Sequence, residues 1–150
     1  MHATTWQPPH NDLIRERTAD RVNRTIDQQT EGALAETADS PERIRARLDA
    51  LDVEWTIDRA LMVTFAIGGS ISAALAMRRL ARTGTAGGIG VLFVAQMAFL
   101  FHHAIRRWSP PMPVFRRLGF RSAREICAER CALEMRLAEL ELEQRADALF

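Results

Sequence analysis

Two apolar runs separated by a cluster of arginines constrain this chain more than any other feature. From Ala60 to Met77 the sequence ALMVTFAIGGSISAALAM carries no charge, and Thr83 to Ile105 carries none when His102 and His103 are neutral. Arg78, Arg79 and Arg82 divide the runs, and Arg106 and Arg107 close the second. A helix needs about 20 residues to cross a hydrocarbon core of about 30 Å, and both runs reach or approach that length. Both are apolar all round rather than along one stripe, which suits lipid better than a one-sided core. The rival is a pair of buried helices in a soluble bundle, but a chain of 150 residues has little other apolar material to wrap them. The expectation is an all-α chain built on a two-helix transmembrane hairpin, spans about 60–79 and 83–105, with cytoplasmic flanking helices.

Charge is segregated along the chain. Residues 1–59 hold 8 Arg against 12 acids, 60–105 hold 3 Arg and no acid, and 106–150 hold 9 Arg against 7 acids. The net charge of +1 and the mean hydropathy of -0.13 therefore average over unlike blocks. Residues 1–39 read as a polar arm, weakly helical or disordered, with only a faint stripe of Ile14, Val22, Ile26 and Ala33. No basic cluster followed by an apolar core occurs near the N-terminus, so no cleaved signal is expected there. Over 40–59, Ser40 suits an N-cap, Pro41 the first helical position and Glu42 the first turn. Ile44, Leu48, Leu51 and Trp55 follow at helical spacing, and this helix is expected to run unbroken into the first span.

Residues 106–122 form a basic, proline-rich juxtamembrane segment in which Pro110, Pro111 and Pro113 stop the second span. Ser122 and Glu125 then read as a capping box opening a C-terminal amphipathic helix over 123–150. Its apolar stripe is Cys127, Cys131, Met135, Ala138 and Leu142, widened by Ile126, Leu133, Leu137 and Leu140. It needs a partner surface: the Ile44/Leu48/Leu51 helix, a second copy of the chain, or the membrane.

The short connection between the spans makes them antiparallel neighbours. Lipid gives helices no hydrophobic drive to associate, so small residues at the seam bring backbones together. Gly69, Ser70 and Ala73 of the first span are expected to face Gly84 and Gly88 of the second. Gln96 falls level with Gly69 and Ser70, and a mid-membrane amide needs a partner, for which Ser70 or Ser72 is expected. Lining a polar pathway is the alternative for Gln96.

Arginine counts set the orientation. Three lie in the connecting loop, whereas ten lie on the terminal side: Arg43, Arg45, Arg47, Arg59, Arg106, Arg107, Arg116, Arg117, Arg121 and Arg124. The positive-inside rule then places both termini in the cytoplasm. Arg106, Arg107, Arg116, Arg117, Arg121 and Arg124, with Trp55 and Trp108, form an expected collar at the membrane surface. Each basic residue near an anionic leaflet adds about 1 kcal/mol. Position directly after a span favours lipid over nucleic acid as the collar's partner, so no nucleic-acid binding is expected.

Candidate chemistry is thin. His102 and His103 are weak metal or proton-relay candidates, but neighbours on a helix point about 100° apart and cannot easily share one ion. Cys127 and Cys131 share one helix face at i, i+4. They are weak metal or redox candidates, and packing within the stripe is the preferred reading. No nucleophile–base set and no phosphate loop occurs, so no catalytic residue, cofactor or metal is assigned and the chain reads as non-enzymatic.

Two motifs carry a resemblance. They are Leu48-Asp49-Ala50-Leu51-Asp52-Val53-Glu54-Trp55-Thr56-Ile57-Asp58-Arg59-Ala60-Leu61, and Trp108-Ser109-Pro110-Pro111 with Arg116-Arg117-Leu118-Gly119-Phe120-Arg121-Ser122-Ala123-Arg124-Glu125-Ile126. With them, about residues 44–133 resemble a bacterial family of small two-span inner-membrane proteins of unknown function. This is the YgaP-like transmembrane domain, which also occurs fused to rhodanese domains. The resemblance implies a hairpin with cytoplasmic termini, a dimer or small oligomer, and a link to sulfur metabolism. Where the family pattern has Cys before the proline after the second span, this chain has Ser109, and it has no rhodanese catalytic loop. The expected role is a non-enzymatic inner-membrane scaffold or accessory protein. A holin-like pore former and an accessory factor in sulfur or redox metabolism are the alternatives.

Overall fold

A computed structural model of the chain describes residues 6–106 and 108–148. The order is α1 (Leu13–Glu16), α2 (Asp20–Thr37), α3 (Pro41–Val53), α4 (Ile57–Thr83), α5 (Gly87–Arg106), α6 (Met112–Arg117) and α7 (Ala123–Asp147). The described residues form no strand, only an isolated parallel bridge between Thr56 and Arg121. The all-α class is as the sequence predicts. The chain divides into two compact units, residues 1–56 with 121–150, and residues 57–120.

The first unit, the flanking unit, packs α2, α3 and α7 around Leu34, Ile44, Leu51, Ile126 and Leu133, with Trp6 closing the cluster. Three of its helices, α1, α3 and α7, begin where the sequence supplies caps, whereas α2 starts after Ala19 without one. Asp12 accepts from the Ile14 N–H at the start of α1, and Ser40 accepts from the Arg43 N–H at the start of α3, with Pro41 in the first turn. Ser122 and Glu125 close a full capping box on α7, their two bonds measuring 3.1 and 2.8 Å.

The N-terminal arm is helical over α1 and α2, one of the two states expected of it, and it also joins the core, through Ile26, Thr30 and Leu34 on one face of α2 and through Trp6. Two features of this unit correct the sequence reading. The helix over 40–59 is not continuous. α3 stops at Val53, where Glu54 turns extended (φ -63°, ψ 136°), and α4 starts anew at Ile57. Glu54 is pulled out of helical geometry into a two-pronged ion pair with Arg121, at 2.7 and 2.6 Å. On α7, the stripe of Cys127, Cys131, Met135 and Leu142 faces outward, and the second line (Ile126, Leu133, Leu137, Leu140) is the face that packs.

The second unit, the hairpin unit, is the antiparallel pair α4 and α5, with the short helix α6 against α4. α4 has 27 residues and α5 has 20, about 40 and 30 Å of helix. Both are long and apolar enough to cross a membrane. Gly84, in the left-handed region at φ +72°, ends α4 and bonds its N–H back to the Leu80 carbonyl at 2.9 Å, so a side chain here would be strained. After α5, Pro111 and Pro113 do not leave an extended segment. They open α6, because proline is tolerated in a first turn, where its missing N–H has no partner to lose.

Candidate functional site

Midway along the hairpin the seam carries a polar contact. Ser72, buried on α4, donates from Oγ to the Gln96 side-chain oxygen on α5 at 2.7 Å. Gly68 and Gly69 sit at the same level. A Cβ on Gly68 would come within 2.9 Å of Gln96 Nε2, and one on Gly69 within 3.1 Å of Met97 Cε. Of the predicted packing residues, Gly69 and Gln96 are therefore at the seam and Ala73 is half-buried beside it. Ser70 is exposed, and Ser72 takes the role open to either serine. Gly84 lies in the loop rather than in a span, and Gly88 is exposed with no neighbour near its Cβ position. Neither packs the hairpin: the close approach falls at mid-helix, where Gly68 and Gly69 meet Gln96 and Met97.

Ile57, Leu61 and Phe65 of α4 are buried, whereas many other apolar side chains of the hairpin, and most of those on α5, face outward. Met77 is 71% exposed, Val91 70% and Phe101 69%, and only 6% of the apolar window of α5 is buried.

At the other end of the hairpin, the two histidines part as helical geometry requires. His102 is exposed, while His103 is buried with Nε2 3.3 Å from Asp58 Oδ1 on α4. Ser109 is fully buried, as are Met112 and Arg116 on α6. Arg116 donates to the Phe120 carbonyl at 3.2 Å, and Phe120 packs on Phe115 with ring centroids 5.8 Å apart. Arg116 is thus buried and does not belong to a surface collar. Arg106 and Arg117 are exposed and Trp108 is half-buried, whereas the predicted Arg107 lies outside the described residues.

Arg121 is the second correction to the collar. It is 6% exposed, and its guanidinium binds Glu54, Thr30 and Glu129. Glu129, fully buried, is also gripped by Arg47 at 2.7 Å. Burial pulls the Arg121 guanidinium down, but bonds to Glu54 and Glu129 outweigh it, and its pKa ends above the ordinary value. A parallel set joins Arg15 to Asp27 at 2.8 Å and to the buried Glu125 at 2.6 Å, with Trp6 Nε1 donating to Asp27 at 2.9 Å. Ser122 Oγ donates to the buried Asp12 at 2.5 Å. Arg124, exposed, donates to the Asn11 and His10 carbonyls, and Trp55 is 43% exposed. None of Arg15, Asp27, Glu129 or Asp58 was legible as a site residue, because each has a partner on another element, as Arg15 has in Glu125 and Glu129 in Arg47.

Cys127 and Cys131 are both exposed and reduced. Desolvation and the neighbouring Cys127 thiol push the Cys131 thiol up from its ordinary value, which favours the unreactive thiol over the thiolate. Among the described residues no three His, Cys, Asp or Glu side chains could hold a metal ion together. No protein-family model, curated protein or solved structure matches the chain. The two motifs around Trp55 and Trp108 are thus the whole support for the family resemblance.

Proposed function

We propose that the chain is a non-enzymatic scaffold or accessory protein of the bacterial inner membrane. In this reading the α4–α5 hairpin anchors it, both termini are cytoplasmic, and α7 offers its outward face to a second copy or to a separate protein. One observation supports the anchoring: α4 and α5 are long and apolar, and most of their apolar windows lie outside the interior, with only 33% and 6% buried. A soluble fold would leave that surface in water at about 25 cal/mol per Å². The outward face of α7 supports the scaffold role, since Met135 is 63% and Leu142 64% exposed on a helix already held by its other face.

The experiment is crosslinking of the full chain in native membranes, comparing wild type with Met135→Glu/Leu142→Glu. Both positions are exposed, so the flanking unit stays folded in the variant. Loss of the wild-type crosslinks supports the scaffold reading, and crosslinks unchanged in number and mass contradict it.

A further inference from the structure

The loop end of the hairpin holds three arginines that nothing nearby balances. Arg78, Arg79 and Arg82 are exposed and form no ion pair among the described residues. No Asp or Glu occurs from Arg59 to Arg124, and Asp58 lies 20 residues before Arg78 on α4, about 30 Å along the helix. No carboxylate of the hairpin unit lies within reach of the positive charge at this end.

An open apolar groove of about 500 Å³ lies next to Arg79, lined by Ala76, Gly87, Gly90, Val91, Phe93 and Val94. That size falls within the ~300–1,000 Å³ of small-molecule sites. Gly87 joins the groove to the charge. A Cβ there would come within 2.7 Å of Arg79 Nε, and its φ is +59°. The positive φ favours glycine, and without a Cβ the Arg79 side chain lies close against the first turn of α5, which carries no acid to oppose an anion.

We propose that this end of the hairpin is a binding site for an anionic phospholipid. The phosphate is held by Arg79, with Arg78 and Arg82 alongside, and an acyl chain runs into the groove. The groove selects a lipid over a free anion, since inorganic phosphate has no use for an apolar channel. The arginines select an anionic headgroup over a zwitterionic one. This inference rests on the membrane reading of the hairpin. It concerns the end opposite Arg106 and Arg117.

The test uses the purified full chain with vesicles of phosphatidylcholine alone or mixed with phosphatidylglycerol. Flotation is scored first, then the lipids retained after mild detergent extraction are counted by native mass spectrometry. The wild type should retain phosphatidylglycerol in preference to phosphatidylcholine, and excess inorganic phosphate should not displace it. Arg79→Gln should lower the preference about five-fold and Arg78→Gln/Arg79→Gln/Arg82→Gln should lower it further. Arg79→Lys should keep most of it, and Arg117→Gln at the other end should leave it unchanged. Val94→Phe, which narrows the groove from an exposed position, should reduce retention with the arginines intact. Flotation with equal retention of both lipids, or an undiminished preference in the triple variant, overturns the site while leaving the anchor standing. Failure to float with either vesicle overturns the anchor and the site together.

Discussion

Glu129 has no exposed surface and is held by two guanidiniums, those of Arg47 and Arg121. Removing one partner of a buried ion pair leaves an uncompensated charge and costs about 3–5 kcal/mol. Arg121→Ala leaves Glu129 with Arg47 alone and should destabilise the flanking unit by up to about that amount, read as a lowered midpoint in denaturant unfolding followed by circular dichroism. Arg124→Ala, at an exposed neighbour, should cost under about 1 kcal/mol. The sequence alone places both in one collar, because a run of arginines without acids after a span looks alike at every position. What separates them is Glu54, 67 residues from Arg121, and pairing over that distance leaves no local pattern. Caps, by contrast, are local and were legible at Ser40 and Ser122. The hydrogen bond from its own backbone N–H and that from Ser40 hold the Glu42 carboxyl below its ordinary value of 4.5. Its small contribution is present above that value and fades as pH falls through its lowered folded pKa. Ser40→Ala should raise the Glu42 midpoint in an NMR titration.

Among the elements, α4 and α5 were legible in type and order because uncharged runs of this length have few other uses. Their register was legible in part, since a lone amide at Gln96 asks for a hydroxyl and Ser72 supplies it. Polar contacts between spanning helices are worth about 0.6 kcal/mol on average and at most about 1.7. Gln96→Leu should accordingly lower the thermal midpoint in detergent only slightly. Gly69→Leu should lower it more, because Gly69 is buried at the seam and a leucine adds three carbons beyond a Cβ position already 3.1 Å from Met97 Cε. The packing face of α7 was not legible as a choice, since two apolar lines of similar strength run along it. Its buried side is set by Glu125 and Glu129, the residues a hydropathy pattern assigns to water. The end of α3 at Val53 has the same kind of cause, as Glu54 leaves the helix for Arg121.

For the whole molecule, the hairpin unit interrupts the flanking unit between Thr56 and Arg121, and those two residues meet in the isolated bridge. The proposed orientation makes a specific demand. With a membrane-impermeant maleimide, Cys127 and Cys131 should react only after the inner membrane is opened, whereas Thr85→Cys in the loop of a Cys127→Ser/Cys131→Ser chain should react in intact spheroplasts. Labelling in the reverse pattern contradicts cytoplasmic termini. The claim beneath every other is that α4 and α5 lie in hydrocarbon. A nitroxide placed by Val94→Cys in the cysteine-free chain, reconstituted in vesicles, measures this directly through its collision rates with oxygen and with a water-soluble nickel complex. Strong relaxation by oxygen and almost none by nickel is the predicted result. Strong relaxation by nickel would mean that position 94 faces water and that the hairpin does not span the bilayer.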